Sequence, residues 1–552
     1  MAKNMIRRPF PRGGIRTRLP VTIYRRSSDE FSPTEISGLA LWLDASDGST
    51  LFQNSDGTVP ATATSDPVGY WGDKSGNGRH AVQATAGSRP LVGSIASGRG
   101  LVFDSNDSLL SLASMADIIG APASSPATTI AFIALNSSGA AGFTMGANDA
   151  ANGRLLVSNS FDAAGASFFD VAGTSGGRLS YTLPASSQTT ASVYIMQRNG
   201  ASMIVRRNGA TIATKADASQ TYSATTARLA LGQAVGLSGF AGTCASVLCY
   251  PSALTATQYQ RLEQYLATRW GITLAPQVSN ADAQNWIDRV YANGGTVSSA
   301  TAAAVNQFCV DLENAPGGSI RDRFFRLNLF CGSFQGAFVP LFRGPSLGGT
   351  QYGGATDTNL GSPAFLVGDY NETGVSGGLL GNGTTKYLNT AFNVDQLPGA
   401  ANCHLSSFIT GTQDIASPRA LIGTLFNGVA DRYRIFLNNT TAGNYLLFTE
   451  LGVSSQASAT RANANGGLML ASRTGPTLLT LYDDAVSVGT NETSTAEVTG
   501  ASPFFVFARN GPTEFYNGRM AAYSIGAGMT AAQVTAYNTA MQAFQTAMTR
   551  IA

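Results

Sequence analysis

The sequence predicts an all-β protein: two β-sandwiches joined by a short helical hairpin, with an extended arm ahead of them. Three observations carry this reading. Charged residues make up only 12% of the 552-residue chain and 62 residues are glycine, a balance that suits many turns and strands better than exposed helices. Short apolar runs are separated by turn residues at close spacing. One pattern also occurs twice. Its first copy is Phe240-Ala-Gly-Thr-Cys-Ala-Ser-Val-Leu-Cys-Tyr250 with Leu254-Thr-Ala-Thr-Gln-Tyr-Gln-Arg-Leu262. Its second is Tyr516-Asn-Gly-Arg-Met-Ala-Ala-Tyr-Ser-Ile525 with Met529-Thr-Ala-Ala-Gln-Val-Thr-Ala-Tyr537. Each copy is an aromatic and a glycine, a strand-like run, a short break and a helix. Thr255 and Thr530 stand where an N-cap hydroxyl accepts a free N–H of the first turn. They lie 275 residues apart, so the repeating unit is a domain and not a solenoid turn.

The arm comes first, over residues 1–35. Residues 1–28 hold eight basic side chains and no acidic one, which leaves the rest of the chain with 27 basic against 33 acidic residues. Pro and Gly among the arginines prevent this segment from burying enough apolar surface to fold alone. Phe10, Ile15, Leu19, Val21, Ile23 and Tyr24 are anchors that a purely solubilising tail lacks, so the arm is expected to order on a partner. Its candidate contact residues are Arg7, Arg8, Phe10, Arg12, Arg16, Arg18, Tyr24, Arg25 and Arg26. A protein surface is the expected partner; nucleic acid is the weaker reading of the same basic, aromatic-containing pattern. The N-terminus lacks the apolar core of a secretory signal. The charge-free stretch between Arg228 and Arg261 is too interrupted by Gly, Ser, Thr and Pro251 to span a membrane.

The first sandwich is predicted over 36–275. Leu39, Leu41 and Leu43 alternate with Ala40, Trp42 and Asp44, as on a half-buried strand. Asp73-Lys-Ser-Gly-Asn-Gly78 is a turn signal. Thr129–Leu135, Arg154–Val157, Ser192–Gln197, Ser202–Arg207 and Ala227–Leu231 read as further strands, and Asn208-Gly209 as a hairpin turn. Cys244 and Cys249, five apart on one strand, are expected on opposite faces. The five scattered cysteines read as reduced, buried thiols of a cytoplasmic protein.

The run Leu41-Trp-Leu-Asp44, the turn Trp71-Gly-Asp-Lys-Ser-Gly-Asn-Gly78 and the following Arg89-Pro90 together resemble the concanavalin A-like, laminin-G-like jelly roll, most closely the versions in virion proteins of tailed bacteriophages. The likeness covers about 36–275 well and 325–552 moderately; the second copy lacks the Trp71–His80 turn. It implies two jelly-roll sandwiches in a non-enzymatic virion protein, assembled in the bacterial cytoplasm and homo-oligomeric. The arm would attach it to other capsid or tail proteins, leaving the sandwiches exposed for host contact. Several relatives bind calcium at loop rims, which makes Asp44, Asp47, Asp73 and Asn77 candidate ligands of hard-oxygen type; the competing reading is Asx-turn hydrogen bonding. Trp42 and Trp71 are candidates to stack on a sugar, against the alternative of core packing.

Residues 276–320 break the pattern. Ala281–Tyr291 and Ser299–Asn314 have helical spacing, with Trp286, Ile287 and Val290, then Val305, Phe308 and Leu312, on one side. Asn293-Gly-Gly295 separates them. The second sandwich follows over 321–552. The arginines of Arg321–Phe330 read either as a docking surface or as charges on a solvated edge strand.

Catalytic chemistry is sparse. A glycosidase needs two carboxylates about 5–9.5 Å apart, and no two glutamates share one predicted strand. Gly374-Val-Ser376-Gly-Gly378 matches the loose nucleophile elbow but leads into a strand, not a helix. With two histidines and no Cys-x-x-Cys, a zinc site is excluded. The expected function is therefore structural and adhesive. A carbohydrate-binding adhesin is the alternative, and a polysaccharide depolymerase the more distant one.

Overall fold

The computed structural model describes residues 31–551 apart from 122, 125–126, 138–141, 148–154, 172–176, 217–220, 223–226, 234–238, 400, 411–418, 427–430, 442–443, 454–455, 463–465 and 493–499. The arm candidates from Arg7 to Arg26 lie outside the described residues. Six α-helices occur among the described residues: α1 (Met115–Ile119), α2 (Ala185–Gln188), α3 (Ala256–Trp270), α4 (Ala281–Ala292), α5 (Ser299–Glu313) and α6 (Ala531–Ala547). Strand far outweighs helix among the described residues, as the sequence predicts.

Both copies of the repeated strand run through the interior of a sheet. Ala241–Tyr250 lies between Thr128–Asn136 and Gly98–Asp104, with Leu41–Asp44 pairing along its other half. That eight-stranded sheet faces a nine-stranded one, and Leu41, Leu43, Leu101 and Phe132 meet Met145, Val157, Leu229 and Leu231 between them. In the second sandwich Arg519–Gly526 lies between Cys403–Thr410 and Gly378–Leu380, and Phe324–Asn328 pairs along it. Its core joins Leu405, Met469, Tyr523 and Ile525 to Ile422, Ile435, Phe504 and Val506 of the facing seven-stranded sheet.

The repeated strand corrects one expectation. Cys244 and Cys249 face the same inter-sheet core, because a bulge between Cys244 and Ser246 adds a residue and restores the parity. All five cysteines are buried and free.

Each closing helix opens on the threonine the repeat predicts. The Thr255 and Thr530 hydroxyls accept from the Gln258 and Gln533 amides, and the two glutamine side chains accept in return from the threonine amides. Helix α3 lies on the outer face of its sheet, where Leu262, Leu266 and Trp270 bury against Trp42, Ile133, Val193 and Leu248. Burying side chains of this size stabilises by about 1.5–3 kcal/mol each.

Helices α4 and α5 form one apolar cluster with parts of both sandwiches. Trp286, Ile287 and Val290 of α4, with Val305, Phe308 and Leu312 of α5, are buried with Ala210, Ala275, Phe324, Leu470 and the Val534, Met541 and Phe544 face of α6. The Trp286 indole donates to Val339 O at 3.1 Å.

Two further expectations are corrected at the segment borders. Residues 31–35, assigned by the sequence to the arm, fold against the first sandwich. Phe31 packs on Tyr265 and under the Arg261 guanidinium, and the Tyr250 hydroxyl donates to Pro33 O at 3.0 Å. Phe324–Asn328 is not a solvated edge and its arginine is not a docking surface. Arg326 is wholly buried and pairs with the equally buried Asp357 at 2.6 Å, while Arg321 makes a two-pronged pair with Asp282. The charges face inward because each meets an aspartate placed to receive it. Among the described residues, no helix is long and apolar enough to cross a membrane.

Candidate functional site

The rim residues singled out from the sequence come together but serve the fold. Asp44 is fully buried and accepts from Lys74 Nζ at 3.0 Å and Arg269 Nη2 at 3.2 Å. Asp47 accepts from Lys74 Nζ at 2.9 Å, and hydrogen bonds from Ser49 and Lys74 hold its carboxyl down to about 2. Asp73 accepts from the amides of Trp42, Ser75 and Arg79, and Asn77 Nδ2 donates to Leu39 O and Ala40 O. The Ser46, Ser49 and Ser75 amides, each two residues after an aspartate, make the Asx-turn bonds. Among the described residues, no group of three or more His, Cys, Asp or Glu is placed to hold a metal ion. The tryptophans are interior: Trp71 is fully buried, and Trp42 is 8% exposed with Lys74 Nζ 4.5 Å above its ring and Tyr265 against its edge. Both indoles are thereby placed in packing and not on a sugar-facing surface: Trp71 lies in the inter-sheet core and Trp42 under α3.

A different region has the form of a ligand site. A cleft of about 670 Å³ opens where α2, the Asn208 turn, the α4–α5 turn and the start of the second sandwich meet. The first sandwich supplies Ser187, Thr190, Arg207 and Asn208; the helical turn supplies Tyr291, Thr296 and Ser298; Ser333, Gln335 and Glu372 close the far wall. Each piece has a local cause. Ser202–Arg207 turns into Ala210–Lys215 through Asn208 (φ 48) and Gly209 (φ 85), the positive pair of a two-residue hairpin. The Asn208 side-chain oxygen accepts from the Val193 amide at 2.8 Å, which fixes the turn against the sheet. Gly294, at φ 77, lies so close to Pro184 that a Cβ would sit 2.9 Å from its ring, and one at Gly295 would sit 2.8 Å from Val290. Gly294 therefore lets the helical turn approach the first sandwich, and Gly295 lets it fold back on α4 and on the Ser333 segment.

The electrostatics of the cleft are uneven. Arg207 is 5% exposed; its Nε donates to Ser192 Oγ at 3.0 Å, and no acidic side chain among the described residues pairs with it. Glu372 is the one carboxylate in the lining, and its Oε1 accepts from Thr301 Oγ1 at 2.7 Å and the Gly332 amide at 2.8 Å. Burial pushes the Tyr291 hydroxyl up, with the Arg207 charge acting the other way. Sequence reasoning did not assign any of these residues to a site. The signals present were the Asn208-Gly209 and Asn293-Gly-Gly295 turns, both read only as connections.

Other reactive groups lie elsewhere. His404 is fully buried, with Nδ1 2.7 Å from Ala527 O and Nε2 2.8 Å from Ser524 Oγ. Asp107 is pushed up to about 6 by burial and by neighbouring Asp104, but this turn does not line the cleft.

No protein-family model matches the chain, and no curated protein matches it. Among solved structures it is similar to domain 4 of AbnA, a GH43 extracellular arabinanase from Geobacillus stearothermophilus in complex with arabinotriose, at 14% identity, 41% of this chain, 98% of that one and a TM-score of 0.29. The binding domain of Paraclostridial Mosquitocidal Protein 1 matches at 10% identity, 84% of this chain, 93% of that one and 0.30. Trypanosoma rangeli sialidase matches at 12% identity, 42% of this chain and 0.29, with only 33% of its own length covered. Likenesses of this size carry no argument about activity.

Proposed function

We propose that the chain is a non-enzymatic virion protein of a tailed bacteriophage, carrying two sandwiches for host-surface contact and attached to its capsid or tail partners by the N-terminal arm. The motif resemblance of 36–110 and the basic arm support the virion part. The cleft supports the contact part. Its mixed lining, with hydroxyls, amides, one cation and one carboxylate set among apolar surface, suits saccharide binding, where a few hydrogen-bonding groups set orientation and specificity. One carboxylate does not supply the acid and base that glycoside hydrolysis requires, so the cleft is assigned to binding and not to cleavage. No cofactor is assigned, and calcium is not needed to hold the rim, whose acids already meet cations and amides. The protein is assigned to the assembled particle as a homo-oligomer.

Two measurements test this. Deleting residues 1–28 should abolish incorporation into particles while the sandwiches stay folded and soluble; normal incorporation rejects the anchor. A glycan array probed with the full chain should return host-surface saccharides, and their binding should weaken at least tenfold on Asn208→Ala or Ser298→Ala. An array without any bound saccharide rejects the contact role.

A further inference from the structure

Arg207 differs from four other buried arginines among the described residues. Its neighbour Arg206 is closed by Glu263 at 2.9 Å, Arg321 by Asp282 and Arg326 by Asp357. Arg550, also buried, donates into a cage of carbonyls from Leu329, Phe330, Glu372 and Ala521. Arg207 has neither arrangement: its Nε donates to Ser192 Oγ at 3.0 Å and the buried Tyr194 hydroxyl lies beside it, and neither hydroxyl is a counter-charge. Removing a cation from water without a counter-charge is strongly unfavourable. The side chain is nonetheless only 5% exposed, and Arg207 is the one cation in the lining of the cleft.

Resting on the saccharide reading, we infer that the cleft takes an acidic saccharide whose carboxylate docks on the Arg207 guanidinium. The planar fork matches a carboxylate through two parallel N–H···O bonds, which a lysine cannot reproduce. The opposite wall sets the direction. Glu372 already accepts from Thr301 and Gly332 at one oxygen, so it repels a second acid and favours sugar hydroxyls as donors. A hexuronate unit bound with its carboxylate toward Arg207 and its ring hydroxyls toward Glu372, Ser298 and Asn208 satisfies both walls. A neutral sugar leaves the buried cation uncompensated.

The test uses the full chain and calorimetric titration of an oligogalacturonate against its fully methyl-esterified, neutral form. The acid form should bind at least tenfold tighter near neutral pH and lose that advantage in high salt. Arg207→Gln should bring the acid form down to the ester, and Arg207→Lys should restore only part of the difference. Arg207→Gln should melt no lower than the parent chain, since it removes an unpaired buried charge; this shows that the variant is folded. Equal binding of acid and ester, or an acid preference that survives Arg207→Gln, overturns the inference while leaving the saccharide role standing. If neither saccharide binds, acetate decides. Acetate that raises the melting temperature of the parent chain but not of Arg207→Gln keeps the carboxylate site and rejects the saccharide role. No effect of acetate rejects both.

Discussion

The two sandwiches lock the same edge differently. In the first, Leu41–Asp44 pairs with the repeated strand and is held by Asp73, whose carboxylate takes the amides of Trp42, Ser75 and Arg79 at a partly exposed rim. In the second, Phe324–Asn328 pairs with the repeated strand, and the Trp71–His80 turn has no counterpart in the sequence. The buried Asp357 takes its place, accepting from Arg326, Asn328 and the Tyr523 hydroxyl. Each fold thus ties its flanking strand with one loop aspartate. One aspartate binds backbone N–H groups near water, and the other binds a buried cation. A shared topology does not fix where its polar ties lie, and their depth sets what losing them costs.

The largest effect should come from the deeper tie. Asp357→Asn leaves the Arg326 charge uncompensated at a site with no solvent exposure, and breaking a buried pair on one side costs about 3–5 kcal/mol. Asp73→Asn keeps a carbonyl oxygen at the same place and should cost about 1–2 kcal/mol. Urea unfolding, followed separately in the two sandwiches, checks the ratio. Equal costs would show that depth does not separate the two ties.

A smaller effect should separate the sandwiches by pH. Burial lowers His404 from its ordinary value near 6.5 to about 4, so it stays neutral when folded. Between those values the unfolded chain binds a proton that the folded one refuses, so stability of the second sandwich falls as pH drops from 6.5 to 4. The loss is about 3 kcal/mol. Asp107 in the first sandwich runs the opposite way: raised to about 6 by burial and Asp104, it is protonated in the folded state below that value. Its contribution is present below the ordinary aspartate value and disappears as pH rises toward 6. Hydrogen exchange at pH 4.5 and 7 should therefore show Cys403–Thr410 losing protection at low pH while the Asp104–Ser108 turn gains it. His404→Gln should flatten the first slope only.

These contrasts also show what could be read from residue order alone. The closing helices and the two-sandwich plan were legible because each element announces itself locally, by alternation, a threonine cap or a paired turn. The strand Gln456–Ala462 carries no such mark, because its inward residues are alanines, such as Ala457, too small to mark a face. The rim acids were legible as a group but not as to role, because carboxylates at turns serve ions, cations and amides alike, and only partner positions decide. The cleft was not legible. Arg207, Tyr291 and Glu372 lie on three separate segments, and what marks Arg207 is the carboxylate it lacks, a property no local pattern records.

The smallest expected difference concerns the caps. Thr255 and Thr530 make the same reciprocal bonds with Gln258 and Gln533, so Thr255→Ala and Thr530→Ala should each cost about 1 kcal/mol. Where that loss appears should differ. The described partners of α3 lie on one side, in the cluster around Trp42 and Leu248, whereas α6 is buried with α4, α5 and the second sandwich in one cluster. An uncapped α3 can therefore fray its first turn without disturbing the sheet, and exchange at the Gln258 amide should rise while distant amides stay protected. An uncapped α6 cannot loosen without exposing Val534 and Met541, so its cost should spread across the cluster as a lower unfolding midpoint. Fraying confined to the Gln533 end of α6 would show that burial on several sides does not hold a helix terminus that its own cap has released.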